Sequence, residues 1–137
     1  MSVSNNVPNF VATANIQPFD VVMLSGNLKV ATATDNSGGY SQIGVCDGSV
    51  SEFNKTYHAT AGEMVSLQNG RFVQLRAGNT TAYGPITYGT KLIVLNGAVI
   101  PTNIGGGNYI EFEACEAAST GEIFWAARVG AFYLPIV

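Results

Sequence analysis

Three times in this chain a glycine-containing turn separates two short apolar runs. Residues 64–67 and 71–75 flank Asn69-Gly70, residues 21–24 and 28–31 flank Ser25-Gly26-Asn27, and residues 91–95 and 98–100 flank Asn96-Gly97. Asn-Gly between apolar runs is the strongest short-range hairpin signal, because both residues tolerate the positive φ of a type I′ turn. Each figure therefore predicts a hairpin. Their unequal spacing, with glycines at 26, 70 and 97, makes a weak internal repeat and not a solenoid. A second echo lies beside the first. Residues 113–128 (EACEAASTGEIFWAAR) follow the order of residues 44–65, with a cysteine, small residues, then Gly-Glu and an apolar run.

No window places apolar residues at helical spacing between two caps. Residues 111–118 tolerate a helix, but they also alternate. Ile110, Phe112 and Ala114 fall on one face, Glu111 and Glu113 on the other, which predicts a strand. The expected fold is all-β, a compact antiparallel β-barrel or sandwich built from Gly-turn hairpins. At 137 residues the chain is long enough for one core. Its expected parts are an extended N-terminal arm over residues 1–19, a β body over 20–130, and an apolar C-terminal tail over 131–137. Pro18 stops any strand arriving from the arm. Residues 35–39, 49–60, 77–88 and 103–108 read as connections. Residues 123–129 (IFWAARV) read as a buried strand that Gly130 breaks, with Trp125 packing in the core.

The chain has 6 basic and 9 acidic residues, so 11% of it is charged, against about 25% in an ordinary soluble protein. A folded chain of this length exposes on the order of 6,800 Å². Fifteen ionic groups cannot cover that area, so much of the surface is neutral polar or apolar, a state that symmetric neighbours relieve by burying part of it. The net charge of −3, with Lys29, Lys55, Arg71, Arg76, Lys91 and Arg128 scattered singly, argues against a nucleic-acid partner.

Residues 1–17 carry no charged side chain, and Val7, Phe10, Val11 and Ile16 are isolated apolar anchors. The stretch lacks the basic and apolar regions of a secretory signal, and it is too short and polar for a membrane span. Two readings stand: a frayed terminus, or an arm that is disordered when free and orders on a partner. The tail AFYLPIV has no charged side chain, and it places Phe132, Tyr133 and Leu134 at an expected subunit interface.

Chemistry-bearing residues are few. His58 is the single histidine and sits in a polar stretch, which predicts a solvated surface residue. Cys46 and Cys115 hold matching places in the echoed segments, and they read as reduced thiols, small and buried. No C-x-x-C, histidine pair or D-x-D-x-D-G run offers a metal site. Glu111, Glu113 and Glu116 read as a solvated face, and no G-x-S-x-G elbow or phosphate loop is present. The N-x-T triplets at Asn54 and Asn79 carry little meaning without a secretion signal. The sequence predicts no catalytic constellation and no cofactor.

Four segments in order are similar to a known pattern. They are Gly44-Val45; Ala61-Gly62-Glu63-Met64-Val65 through Gly70 to Val73; Gly89 through Leu92, Val94 and Gly97 to Val99; and Ala114 through Gly121-Glu122 to Val129. Over about residues 20–129 the chain resembles the small all-β capsid cement, or head decoration, proteins of tailed bacteriophages. It departs in Phe124-Trp125, in its longer arm and in its AFYLPIV tail. The resemblance implies a non-enzymatic virion protein, made in the host cytoplasm, that binds the exterior of the expanded head. It implies a homotrimer bridging capsomers, with the major capsid protein as partner and with no nucleic acid or membrane. Val7, Phe10, Val11 and Ile16 then become the capsid-contact arm. Two other classes remain: a phage tail or fibre-tip module reading host glycans through Trp125, Tyr57 or Tyr133, and a small β-barrel enzyme using the acidic residues.

Overall fold

One four-residue turn recurs four times and starts a strand each time. It comprises Gln17-Pro18-Phe19-Asp20, Thr60-Ala61-Gly62-Glu63, Thr87-Tyr88-Gly89-Thr90 and Ser119-Thr120-Gly121-Glu122. In each, the fourth N–H donates to the first carbonyl, at 3.2, 3.0, 3.1 and 3.0 Å. The third residue takes positive φ, at 65°, 91°, 82° and 80°, the conformation that favours glycine. The first N–H donates back to an oxygen on the fourth side chain: Asp20 Oδ2 at 3.0 Å, Glu63 Oε1 at 2.7 Å, Thr90 Oγ1 at 3.0 Å and Glu122 Oε1 at 2.6 Å. An oxygen-bearing fourth residue thus closes the backbone group that the turn leaves open. Phe19 is the exception to glycine, and its ring lies where a Cβ on Gly48 would stand.

The computed structural model describes residues 9–34, 42–102 and 109–133. Among the described residues the protein is all-β apart from one turn of helix. Its strands are β1 (Phe10–Ala12), β2 (Val21–Gly26), β3 (Lys29–Thr32), β4 (Gln42–Val45), β5 (Met64–Val65), β6 (Phe72–Arg76), β7 (Lys91–Leu95), β8 (Ala98–Pro101), β9 (Tyr109–Ala114) and β10 (Ile123–Tyr133), with α1 (Thr80–Tyr83) after β6. They form two five-stranded sheets, ordered β4-β2-β3-β1-β5 and β6-β10-β9-β7-β8.

These two orders are one order opened at different seams. In the first unit β1 runs parallel to β3 and antiparallel to β5, and the bridge Cys46↔Leu67 joins the ends of β4 and β5. In the second unit β6 is antiparallel to β10, and the parallel bridge Ala77↔Val99 joins the ends of β6 and β8. Both rings therefore pair first with third and fifth, second with third and fourth, and fourth with fifth. The molecule thus repeats one five-stranded pairing order twice along the chain. Small residues seal the recurrent turns. Ala12, Ala77 and Ala114 each donate to the fourth residue's carbonyl and accept from the third residue's N–H of a turn.

Strand alternation locks the units into one body. Val22 enters the first core with Ile16, Val30, Ala59 and Val65. Its neighbour Val21 enters the second core with Leu75, Leu92, Val99, Phe112 and Phe124. Between the units lies the buried carboxylate of Asp20. Its Oδ2 accepts from the Gln17 N–H at 3.0 Å and the Thr32 hydroxyl at 2.9 Å. Its Oδ1 takes the Arg76 guanidinium, which also donates to the Pro18 carbonyl at 3.1 Å. Gly97 (φ 81°) closes the site from the β7–β8 turn, where a Cβ would lie 2.6 Å from Asp20 Oδ1.

Two of the three expected hairpins form. β7 and β8 turn through Asn96 (φ 49°) and Gly97, both left-handed. β2 and β3 pair as well, but the turn is Asn27-Leu28, with Leu28 taking the positive φ. The hairpin around Asn69-Gly70 does not form. Only Gly70 has positive φ there, and β5 and β6 belong to different sheets. Instead the Gln68 amide holds this crossover by donating to the Cys46 and Gln74 carbonyls and accepting the Gln74 N–H.

Of the expected arm, residues 9–19 are described. Phe10 and Val11 lie in a strand between β3 and β5, and Ile16 is 0% exposed, because the first unit needs β1 to complete its ring. Gly130 does not end β10, which continues to Tyr133 with a register shift between Arg128 and Phe132. Trp125 is 47% exposed, since alternation turns Phe124 and Ala126 inward. The connection after β6 contains α1, whose first turn is capped by Asn79 Oδ1 accepting from Thr81 and Ala82 at 3.0 Å.

Removing the carboxylate in Asp20→Ala leaves the Arg76 guanidinium and two further donors without their partner. The expected loss is about 3–5 kcal/mol, read as a lower midpoint in denaturant. An unchanged midpoint contradicts the clamp.

Candidate functional site

The loop between β4 and β5 assembles a serine, a histidine and an aspartate, the residue types of a nucleophilic triad. His58 is 5% exposed, not solvated. Its Nδ1–H donates to the Ser49 carbonyl at 2.8 Å, and its Nε2 accepts the Ser66 backbone N–H at 3.0 Å. These partners assign the neutral Nδ1-protonated tautomer. Asp47 Oδ1 lies 3.5 Å from Nδ1 and accepts the Ser49 N–H and hydroxyl, while Oδ2 accepts the Ser66 hydroxyl at 2.6 Å.

A nucleophilic serine needs a base with a lone pair aimed at its Oγ. Ser49 Oγ is 3.4 Å from Nδ1, the nitrogen that already carries the proton. The Nε2 lone pair is spent on a backbone amide. Both serine hydroxyls serve the carboxylate, so the cluster is a loop clasp. Glu63 clasps the next stretch, accepting from the Thr60 hydroxyl, the Thr60 N–H and the Ser51 hydroxyl at 3.0 Å.

These contacts shape the ionisation of three groups. Burial pushes against the charge of Asp47, yet hydrogen bonds from the Ser49 and Ser66 hydroxyls and the Ser49 N–H hold its carboxyl below the ordinary range. The Thr60 hydroxyl and N–H, then the Ser51 hydroxyl, do the same for Glu63. Burial, reinforced by Asp20 and Asp47, pushes the Cys46 thiol well up. Both cysteines are free, but Cys46 is buried and Cys115 exposed, so only one fits the expected buried thiol. Among the described residues no group of three or more His, Cys, Asp or Glu could hold a metal, and no helix is long and apolar enough to cross a membrane.

What remains is surface. β6 and β10 share an outer face carrying Phe72 (57% exposed), Ile123 and Trp125. The register pairs Ala127 with Phe72 and Trp125 with Gln74, so the two aromatic residues are diagonal neighbours, within side-chain reach. The rim is polar. Glu116 accepts the Trp125 backbone N–H at 2.9 Å, and Lys91 pairs with Glu113 at 2.7 Å. Phe53 and Tyr88 project from loops. Of the residues expected to contact partners, Phe10 and Val11 are half-buried and Ile16 is closed off. Phe132 and Tyr133 lie in β10 opposite Ile110 and Tyr109, and Val7 and Leu134 fall outside the described residues. Phe72 and Ile123 were missed. Their signal was adjacency, because Phe72-Val73 and Ile123-Phe124 put apolar side chains on both faces of a strand.

No family model matches the sequence. No curated protein is similar to it either. Among solved structures, the fold matches the N base of head fiber gp8.5 in bacteriophage phi29, with a TM-score of 0.61 and 15% identity, over 90% of this chain and 94% of that chain. At that identity the likeness is one of fold.

Asp47 and Glu63 have lowered folded pKa values, so their contribution is complete above the unfolded carboxylate range and is lost as pH falls through the folded values. The melting temperature should hold near neutrality and drop below about pH 4, less steeply in Glu63→Gln. A melting temperature that rises on acidification contradicts this. Thiol titration should find Cys115 reactive in the native protein and Cys46 only after unfolding. Two fast native thiols would mean that the first core is open.

Proposed function

We propose that this chain is a non-enzymatic structural protein of a bacteriophage head, binding the exterior of the expanded capsid as a homotrimer that bridges capsomers. The observation that carries the reading is the fold match to a head fiber base over nearly the whole of both chains. The sparse charge, the outer face of Phe72, Ile123 and Trp125, and the saturated Ser-His-Asp cluster support it.

The physics of such a role asks little of any one contact. Weak contacts repeated at many symmetric sites add through effective concentration. A protein that binds only the expanded shell stabilises that shell by mass action. The major capsid protein is the partner, and the Phe72–Trp125 face is the surface we assign to it. Exposed aromatic residues beside a polar rim have the composition of an interface centre. The exposure of Trp125 also suits a second reading, a fibre-type module that binds host glycans.

The test is decoration of undecorated, expanded heads by the purified protein, scored by co-sedimentation and electron microscopy. Wild type should saturate the heads in symmetric clusters of density. Phe72→Ser with Trp125→Ser should weaken binding by roughly 30-fold, the loss of a buried aromatic anchor, with an unchanged melting temperature. Tight glycan binding with no affinity for heads would sink the capsid reading and favour the second.

A further inference from the structure

β10 is the longest strand among the described residues, and its two ends differ in partnership. From Ile123 to Ala127 it is paired on both sides, with β6 and in part with β9, and the Arg128 N–H still donates to the Arg71 carbonyl at 2.7 Å. Beyond Arg128, β6 has ended. Phe132 and Tyr133 pair with β9, opposite Ile110 and Tyr109, and residues 129–131 span the register shift before them. The edge facing away from β9 has no strand partner among the described residues over a length of about 17 Å. Its sequence, Val-Gly-Ala-Phe-Tyr, holds no charge or proline of the kind that guards natural sheet edges.

We propose that this edge receives residues 1–8 of a neighbouring copy, so that the trimer is held by exchanged N-terminal segments. The inference rests on the trimer reading above. The donor begins at a fixed place. Asn9 is exposed and leads straight into β1, which is gripped between β3 and β5. Eight preceding residues reach up to about 26 Å when extended, enough to cross to a neighbour. They carry no charged side chain, and neither do residues 129–133, so pairing them desolvates no ionised side chain.

Two β10 edges meeting each other would be isologous and stop at a two-fold dimer. A segment passed in one direction round the copies is heterologous and closes into a ring when the rotation fits, whereas reciprocal exchange between two copies is isologous and gives a dimer. Strand addition of this kind takes its affinity from backbone hydrogen bonds, and Val3 and Val7 supply side chains for register.

Cysteine cross-linking of the full chain tests this. In a Cys115→Ser background, Val7→Cys is combined in turn with Val129→Cys, Ala131→Cys and Tyr133→Cys. Mild oxidation of at least one pair should give a covalent trimer as the main species on a non-reducing gel, with single variants remaining monomer-sized. In the wild-type protein, amides 129–133 should be protected from hydrogen exchange in the trimer and lose protection at least tenfold on dilution to monomer. Monomer-sized intrachain links, or an intact trimer that no pair cross-links and whose 129–133 amides exchange freely, overturn the exchange. Head decoration is scored separately. A chain that is monomeric at every concentration overturns both trimer and exchange, whereas failure to decorate heads overturns the function alone.

Discussion

The fold depends on one buried carboxylate. Asp20 ends the first recurrent turn, anchors Thr32 on β3, and takes the Arg76 guanidinium from the other unit. A buried ion costs several kcal/mol of desolvation unless its lone pairs are filled, and here each oxygen has a specific donor. Gly97 is required beside it because a Cβ would displace the carboxylate. The same side chain therefore satisfies a turn, a strand and an interface. That is how two units of five short strands become one body, although neither buries much apolar surface alone.

The recurrent turn explains how a chain so poor in charge places its ions. Asp20, Glu63 and Glu122 each spend a carboxylate on a backbone N–H at the foot of a strand. Asp47 and Glu63 hold the long loop between β4 and β5. Little charge is left to cover the β6–β10 face, and an apolar surface there is the consequence. A face of that kind suits a protein partner better than water, which connects the packing to the proposed place on a phage head.

Much of the fold could be read in the residues. Asn96-Gly97 gave its hairpin, and the echo between residues 44–65 and 113–128 falls on equivalent places in the repeated order, β4–β5 against β9–β10. Its full extent escaped because the turn's fourth residue varies among Asp, Glu and Thr and its third can be Phe. Asn69-Gly70 misled for a tertiary reason, since the same local signal sits where the chain crosses between sheets. Ile16 looked like an anchor on a loose strip because local pattern cannot show that β1 fills a gap between β3 and β5. His58 looked solvated because its partners, Ser49 and Ser66, are supplied by loop geometry.

The central structural claim is that two copies of one five-stranded unit fold as a single cooperative body around the Asp20 clamp. Native-state hydrogen exchange in rising denaturant measures this directly at the amides of Ala12, Cys46, Ala77 and Ala114, which bind turn carbonyls in the two units. All four should exchange with the free energy and denaturant dependence of global unfolding. If Ala12 and Cys46 open together in a separate, lower-energy step while Ala77 and Ala114 stay protected, the units are independent and the clamp does not unite them.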